Sequence, residues 1–82
     1  MKELTTITDK EMEEFYKKIG SNVARIRKEK GLSQLKLSLA IGHKAVGTIS
    51  QAELCKNNKH FNIEHLVKIA DVLEVDIYEF FK

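Results

Sequence analysis

A chain of 82 residues with a net charge of +2 has the size of one domain that buries roughly 60% of its unfolded surface, which excludes a second core. Its hydrophobic share of 43% contains no run long enough for a membrane span, and the polar N-terminus argues against a secretory leader. The single cysteine, Cys55, excludes an internal disulfide and suits a reducing cytoplasm, while the lack of proline favours helices.

Thr8 opens the first element, with Glu11 completing a capping box and Ile7 placed to staple onto Met12. From there Met12, Phe15, Ile19, Val23 and Ile26 recur at three- and four-residue steps, predicting a long helix that ends at Gly31. Lys28 and Lys30 fall in its last turn, where cations suit the helix dipole. Ser33, bracketed by Leu32 and Leu37, caps a second helix with Leu37, Ala40 and Ile41 inward, and Gly42 offers the left-handed conformation of a sharp turn. A third helix then turns Ile49 and Ala52 inward and leaves Val46, Thr48, Ser50 and Gln51 outside.

A polar loop follows from Leu54 to His60. Asn62, between Phe61 and Leu66, starts a fourth helix with Ile63, Leu66, Val67, Ala70 and Leu73 inward. Asp76, between Val75 and Phe80 and with Glu79 in box position, starts a short last helix carrying Ile77, Tyr78, Phe80 and Phe81. Nothing alternates with period two, so the expected fold is all-α with five helices in one domain. Residues 1–14 extend the first helix, 33–53 hold two short helices around a glycine turn, and 62–82 form a C-terminal helical pair.

Charge is unevenly spread. Between Phe15 and His60 ten basic side chains face two acidic ones, and the two ends together carry four basic against ten acidic. Such a bipolar chain can present its middle to phosphates, although clustered surface charge alone explains the pattern equally well. Two short helices around a glycine, behind a basic first helix, are the layout of a helix-turn-helix unit. The small polar face of the third helix is one that a DNA major groove admits.

These residues carry a resemblance. Ile26-Arg27 before Gly31, Leu32-Ser33-Gln34, Thr48-Ile49-Ser50 with Glu53, and the Leu66 to Phe81 ending are similar, in order and spacing, to the Cro/repressor-like (XRE-type) helix-turn-helix proteins. The resemblance runs from about Phe15 to Phe81 and implies the five-helix fold of lambda-repressor-like DNA-binding domains. It implies that Val46, Gly47, Thr48, Ser50 and Gln51 face the bases. Gln51 suits adenine N6 and N7, a pairing worth about 1–3 kcal/mol of discrimination, and the methyl groups of Thr48 and Val46 suit thymine. With no arginine on this face, an A·T-rich site is expected. Gln34 is expected to bind a phosphate or brace a recognition-helix side chain. Lys36, Lys44, Lys56 and Lys59, with Asn57 and Asn58, are further phosphate partners. Arg27 and Glu53 resemble the family's buried ion pair between the first and third helices.

Two departures stand out. The span from Gly42 to Ile49 is one residue longer than usual, so His43, Lys44 and Ala45 lead into the third helix, and the loop after Glu53 is longer by about two, with Phe61 where the family often has proline. The resemblance implies a regulator that binds double-stranded DNA. Ile77, Tyr78, Phe80 and Phe81 exceed what a short last helix needs for its own docking, so part of this set is expected to close the core and the rest to meet the same helix of a second subunit in a cytoplasmic homodimer. No cofactor, metal, membrane or small-molecule substrate is expected. Cys55, His60 and His65 lack a fourth ligand and a paired-cysteine knuckle, and no glycine-rich elbow surrounds Cys55. The alternative is a protein-interaction module, such as an antitoxin, gripping a partner through the aromatic C-terminus.

Overall fold

The computed structural model describes residues 1–43 and 46–82. Its described residues form four α-helices, α1 (Asp9–Glu29), α2 (Gln34–Ala40), α3 (Gly47–Leu54) and α4 (Ile63–Leu73), with short 3-10 turns at Lys56–Asn58 and Ile77–Phe81. The expected fifth helix is thus a 3-10 turn. A second such turn lies inside the stretch expected to be irregular loop.

Local chemistry sets the ends. Thr8 Oγ1 accepts from the Glu11 amide at 3.1 Å, and its hydroxyl lies 3.2 Å from the Glu11 carboxylate rather than leaving Glu11 to close a box on the backbone. Ser33 Oγ accepts from the Lys36 amide, and Asn62 Oδ1 from the His65 amide. The reciprocal box forms at α4, where His65 Nδ1 receives the Asn62 N–H at 3.3 Å. At Asp76 it does not: Asp76 Oδ1 takes the Tyr78 amide, and Glu79 pairs with Lys82 instead.

Helix α1 closes with Gly31 at φ 77°, the Gly31 amide on the Lys28 carbonyl and the Leu32 amide on the Arg27 carbonyl. Gly42, at φ 93°, ends α2 with the same pair of bonds, from Gly42 to Leu39 and from His43 to Ser38. Both are Schellman turns that satisfy carbonyls left open by the helix. Helix α4 ends likewise, but on Glu74 at φ 55°. A side chain with a Cβ is disfavoured there, so Glu74→Gly is expected to raise unfolding free energy by about 0.5–1 kcal/mol in urea titrations, after allowance for the freer unfolded chain.

The core joins Val23 and Ile26 of α1, Leu37 of α2 with its cap Ile41, Ile49 and Ala52 of α3, Phe61, Leu66, Ile69, Ala70 and Leu73 around α4, and Phe80. Several apolar residues expected inside are outside. Met12 and Phe15 are exposed because the first half of α1 runs past the other helices, and Phe15 keeps 56% of its surface. Ile7, the expected staple partner of Met12, is exposed too. In α2 the buried row is Leu37, Ser38 and Ile41, leaving Ala40 exposed about 100° round the axis. In α4 the row Leu66, Ile69, Ala70 and Leu73 fills the available face, which leaves Val67 a step round the helix and Ile63 at its open end. The C-terminal turn is fastened to α1 by Asn22 Nδ2, which donates to the Phe80 carbonyl at 2.9 Å.

Candidate nucleic-acid interface

Helix α3 lies across α1 and α2, and two devices fix it there. The first is a close approach of backbones at Gly20, where a Cβ would stand 2.6 Å from the Glu53 carbonyl oxygen and 2.7 Å from that of Ala52. The second is a buried carboxylate. Glu53 Oε2 accepts from Arg27 Nε at 2.7 Å, and Oε1 accepts from Arg27 Nη2 at 3.1 Å and from Gln34 Nε2 at 2.9 Å. Arg27 Nη1 in turn donates to the Leu32 carbonyl at 2.8 Å. One side chain of α3 thereby holds α1, α2 and the turn between them. Among the described residues no buried side-chain nitrogen or oxygen lacks a partner, so the desolvation of this pair is compensated.

With Ile49, Ala52 and Glu53 buried, the opposite face of α3 carries Gly47, Ser50 and Gln51, with Thr48 at its edge. Val46 precedes it and is exposed. Ser50 Oγ donates to the Gly47 carbonyl at 3.2 Å. Thr48 and Gln51 were expected to stand on an exposed ridge. They are half-buried and line an open depression of about 510 Å³ together with His43, Lys59, His60 and His65. Residues of α4 and of the loop before it rise beside α3, which makes the ridge into a trough. Lys36, Lys56, Asn57, Asn58 and Lys59 are exposed. The Gln34 amide nitrogen is engaged with Glu53, the bracing role of the two its position allows. Lys44 and Ala45 lie outside the described residues.

The C-terminal aromatics divide. Phe80 is fully buried, so it closes the core and is not available as a subunit contact, and Ile77 packs partly against the same core. Tyr78 keeps 71% of its surface and Phe81 44%.

Sequence reasoning overlooked Gly20, Ser38 and Tyr16, and placed Leu54 in the loop. Gly20 shares the buried face of α1 with Val23 and Arg27, three and seven residues on, which is the signal that could have marked it. Leu54 belongs to α3 rather than the loop and is 62% exposed on the face of Gly47 and Gln51.

The His43 and His65 rings meet at 5.2 Å across the trough. The imidazole of His65 is pushed below its usual 6.5, chiefly by burial and then by His43, with Lys68 acting the same way and Glu64 opposing. Its Nδ1 must also be unprotonated to receive the Asn62 N–H. The unfolded chain therefore binds this proton more readily than the folded one, so stability is complete above 6.5 and declines as pH falls from there towards the depressed folded value. Thermal melts between pH 7.5 and 5 are expected to show that decline. It should flatten in His65→Gln, whose amide keeps the box without titrating.

Among the described residues no helix is long and apolar enough to cross a membrane, and no group of three or more His, Cys, Asp or Glu could hold a metal ion. No curated protein matches the chain. The profile of the family described as Helix-turn-helix matches residues 23–80, from the buried half of α1 to the core residue Phe80. With α2, the Gly42 turn and α3 inside that match and the third helix pinned by Glu53, the chain belongs to the DNA-binding helix-turn-helix family of the Cro/repressor (XRE) type.

Proposed function

We propose that this protein is a transcriptional regulator that reads double-stranded DNA with α3 and binds as a homodimer to an inverted repeat, its half-sites about 10 base pairs apart. One observation carries the reading. The face of α3 opposite the Arg27–Glu53 pair holds no core residue, and exposed Lys36, Lys56 and Lys59 lie on the elements around it. Gln51 is the adenine reader, with Val46, Gly47, Thr48 and Ser50 completing the base-facing set. Lys36, Lys44, Lys56, Asn57 and Lys59 take phosphates, and the free side of Gln34 lies at the start of α2, where amides also suit an anion. Residues 33–53 form the reading unit. Tyr78 and Phe81 pair the subunits, since they are the aromatics of the C-terminal turn left exposed.

Selection of bound duplexes from a random pool, with the solution mass of the free protein, tests this. An inverted repeat rich in A·T and a dimeric mass are expected. If the dimer makes about 6–10 phosphate contacts, affinity for the selected duplex falls on the order of 10³–10⁵-fold between 50 and 200 mM salt. G-runs among the selected sequences, a monomeric mass, or a flat salt response overturn it. The exposure of Tyr78 also favours a second reading, a module that grips a different protein through its C-terminal turn, which a monomeric protein with no duplex preference would support.

A further inference from the structure

Helix α1 begins at Asp9, well ahead of residue 23 where the family match starts. Most of this forward stretch is exposed, yet Tyr16 is half-buried, and its ring lies flat on that of His60 with centroids 3.8 Å apart and planes 9° apart. His60 ends the segment 55–60, which is weakly determined by its own backbone. It holds a single 3-10 turn, and Cys55, Asn57 and Asn58 all sit at positive φ, between 54° and 58°. Cys55 is disfavoured there, whereas asparagine tolerates the region, and so short a turn does not by itself fix a loop, which leaves a role for contacts from outside the segment.

The same segment carries Lys56, Asn57 and Lys59. On one side Lys59 and His60 line the trough in front of Thr48 and Gln51; on the other they line a cavity of about 390 Å³ shared with Tyr16, Asp9 and Glu13. Tyr16 carries no charge for a phosphate to meet, so its part is played through the loop it touches.

We infer that Tyr16 is a positioning residue for DNA binding: by stacking on His60 it sets the 55–60 loop at the height where Lys56, Asn57 and Lys59 meet the phosphates flanking the groove. The inference rests on the DNA-binding reading above and adds to it a residue outside the matched segment.

The test measures affinity for the duplex selected by the wild-type protein, at 50 and 200 mM salt, for Tyr16→Ala, Tyr16→Phe, His60→Ala and the double variant Tyr16→Ala/His60→Ala. Tyr16→Ala is expected to bind about 2- to 10-fold more weakly, the effect of losing one such ring pair. Its salt slope should be shallower, because phosphate contacts are lost. Tyr16→Phe keeps the stack and should bind as wild type. The double variant should be no weaker than His60→Ala alone, since both act through one contact. If Tyr16→Ala does not fold, a weakened affinity and shallower slope in His60→Ala together with wild-type binding by Tyr16→Phe still support the inference. Unchanged binding by Tyr16→Ala, an equal loss in Tyr16→Phe, or losses that simply add in the double variant overturn the inference alone. A wild-type protein that selects no duplex overturns the regulator reading and the inference with it.

Discussion

Glu53→Ala is expected to lower the unfolding free energy by about 3–5 kcal/mol, the usual result of deleting one partner of a buried ion pair. Three donors lose their acceptor at once: Arg27 Nε, Arg27 Nη2 and Gln34 Nε2. Among the described residues only the bond from Arg27 Nη1 to the Leu32 carbonyl remains to compensate a guanidinium that stays buried. For a domain of this size the corresponding fall in Tm exceeds about 12 °C, readable by circular dichroism. Specificity is the control. Whatever fraction remains folded at low temperature should select the same duplex sequences as the parent, because Glu53 faces the protein interior. A Glu53→Ala protein that melts with the parent would mean that the pair is not what anchors α3.

The second large effect is expected at Gly20. An added methyl would meet two carbonyl oxygens of α3 at 2.6 and 2.7 Å, and both belong to backbone that cannot rotate aside. Alanine ordinarily improves a helix over glycine by about 1 kcal/mol, whereas overpacking a tight contact costs about 1–3 kcal/mol. The clash should win, so Gly20→Ala is expected to lower Tm, and Gly20→Val, with two more methyl groups at the same contact, to lower it further. Because relief requires α1 and α3 to separate, the folded fraction of Gly20→Ala should also bind DNA more weakly, in contrast to Glu53→Ala at equal folded fraction. A rise in Tm for Gly20→Ala, the ordinary outcome for an exposed helical glycine, would exclude the close approach.

What the sequence made legible was whatever rests on local rules. Ser33 and Asn62 cap the helices they precede, Gly31 and Gly42 take the left-handed turns, and Leu37, Ile49, Ala52 and Leu66 face inward. Periodicity was less informative where it had no partner to act on. Met12 and Phe15 continue the apolar row of α1 beyond the point where other helices cover it, and Ile63 and Val67 widen an apolar arc whose far edge has nothing to pack against. The trough beside α3 was hidden for a related reason. It depends on how high His60 and His65 rise next to Thr48 and Gln51, a property of tertiary placement that no single helix encodes. For Phe80 the sequence allowed core and subunit contact alike; it is fully buried, and Asn22 ties its carbonyl to α1.

The division of α3 into an anchoring side and a free side bears on how such a protein can diverge. Ile49, Ala52 and Glu53 secure the helix, whereas Gly47, Ser50 and Gln51 support no neighbour in the interior. On the base-reading role proposed for the latter three, exchanging them for other polar residues is expected to redirect the protein to a new binding sequence with little change in melting temperature, without a detour through poorly folded intermediates.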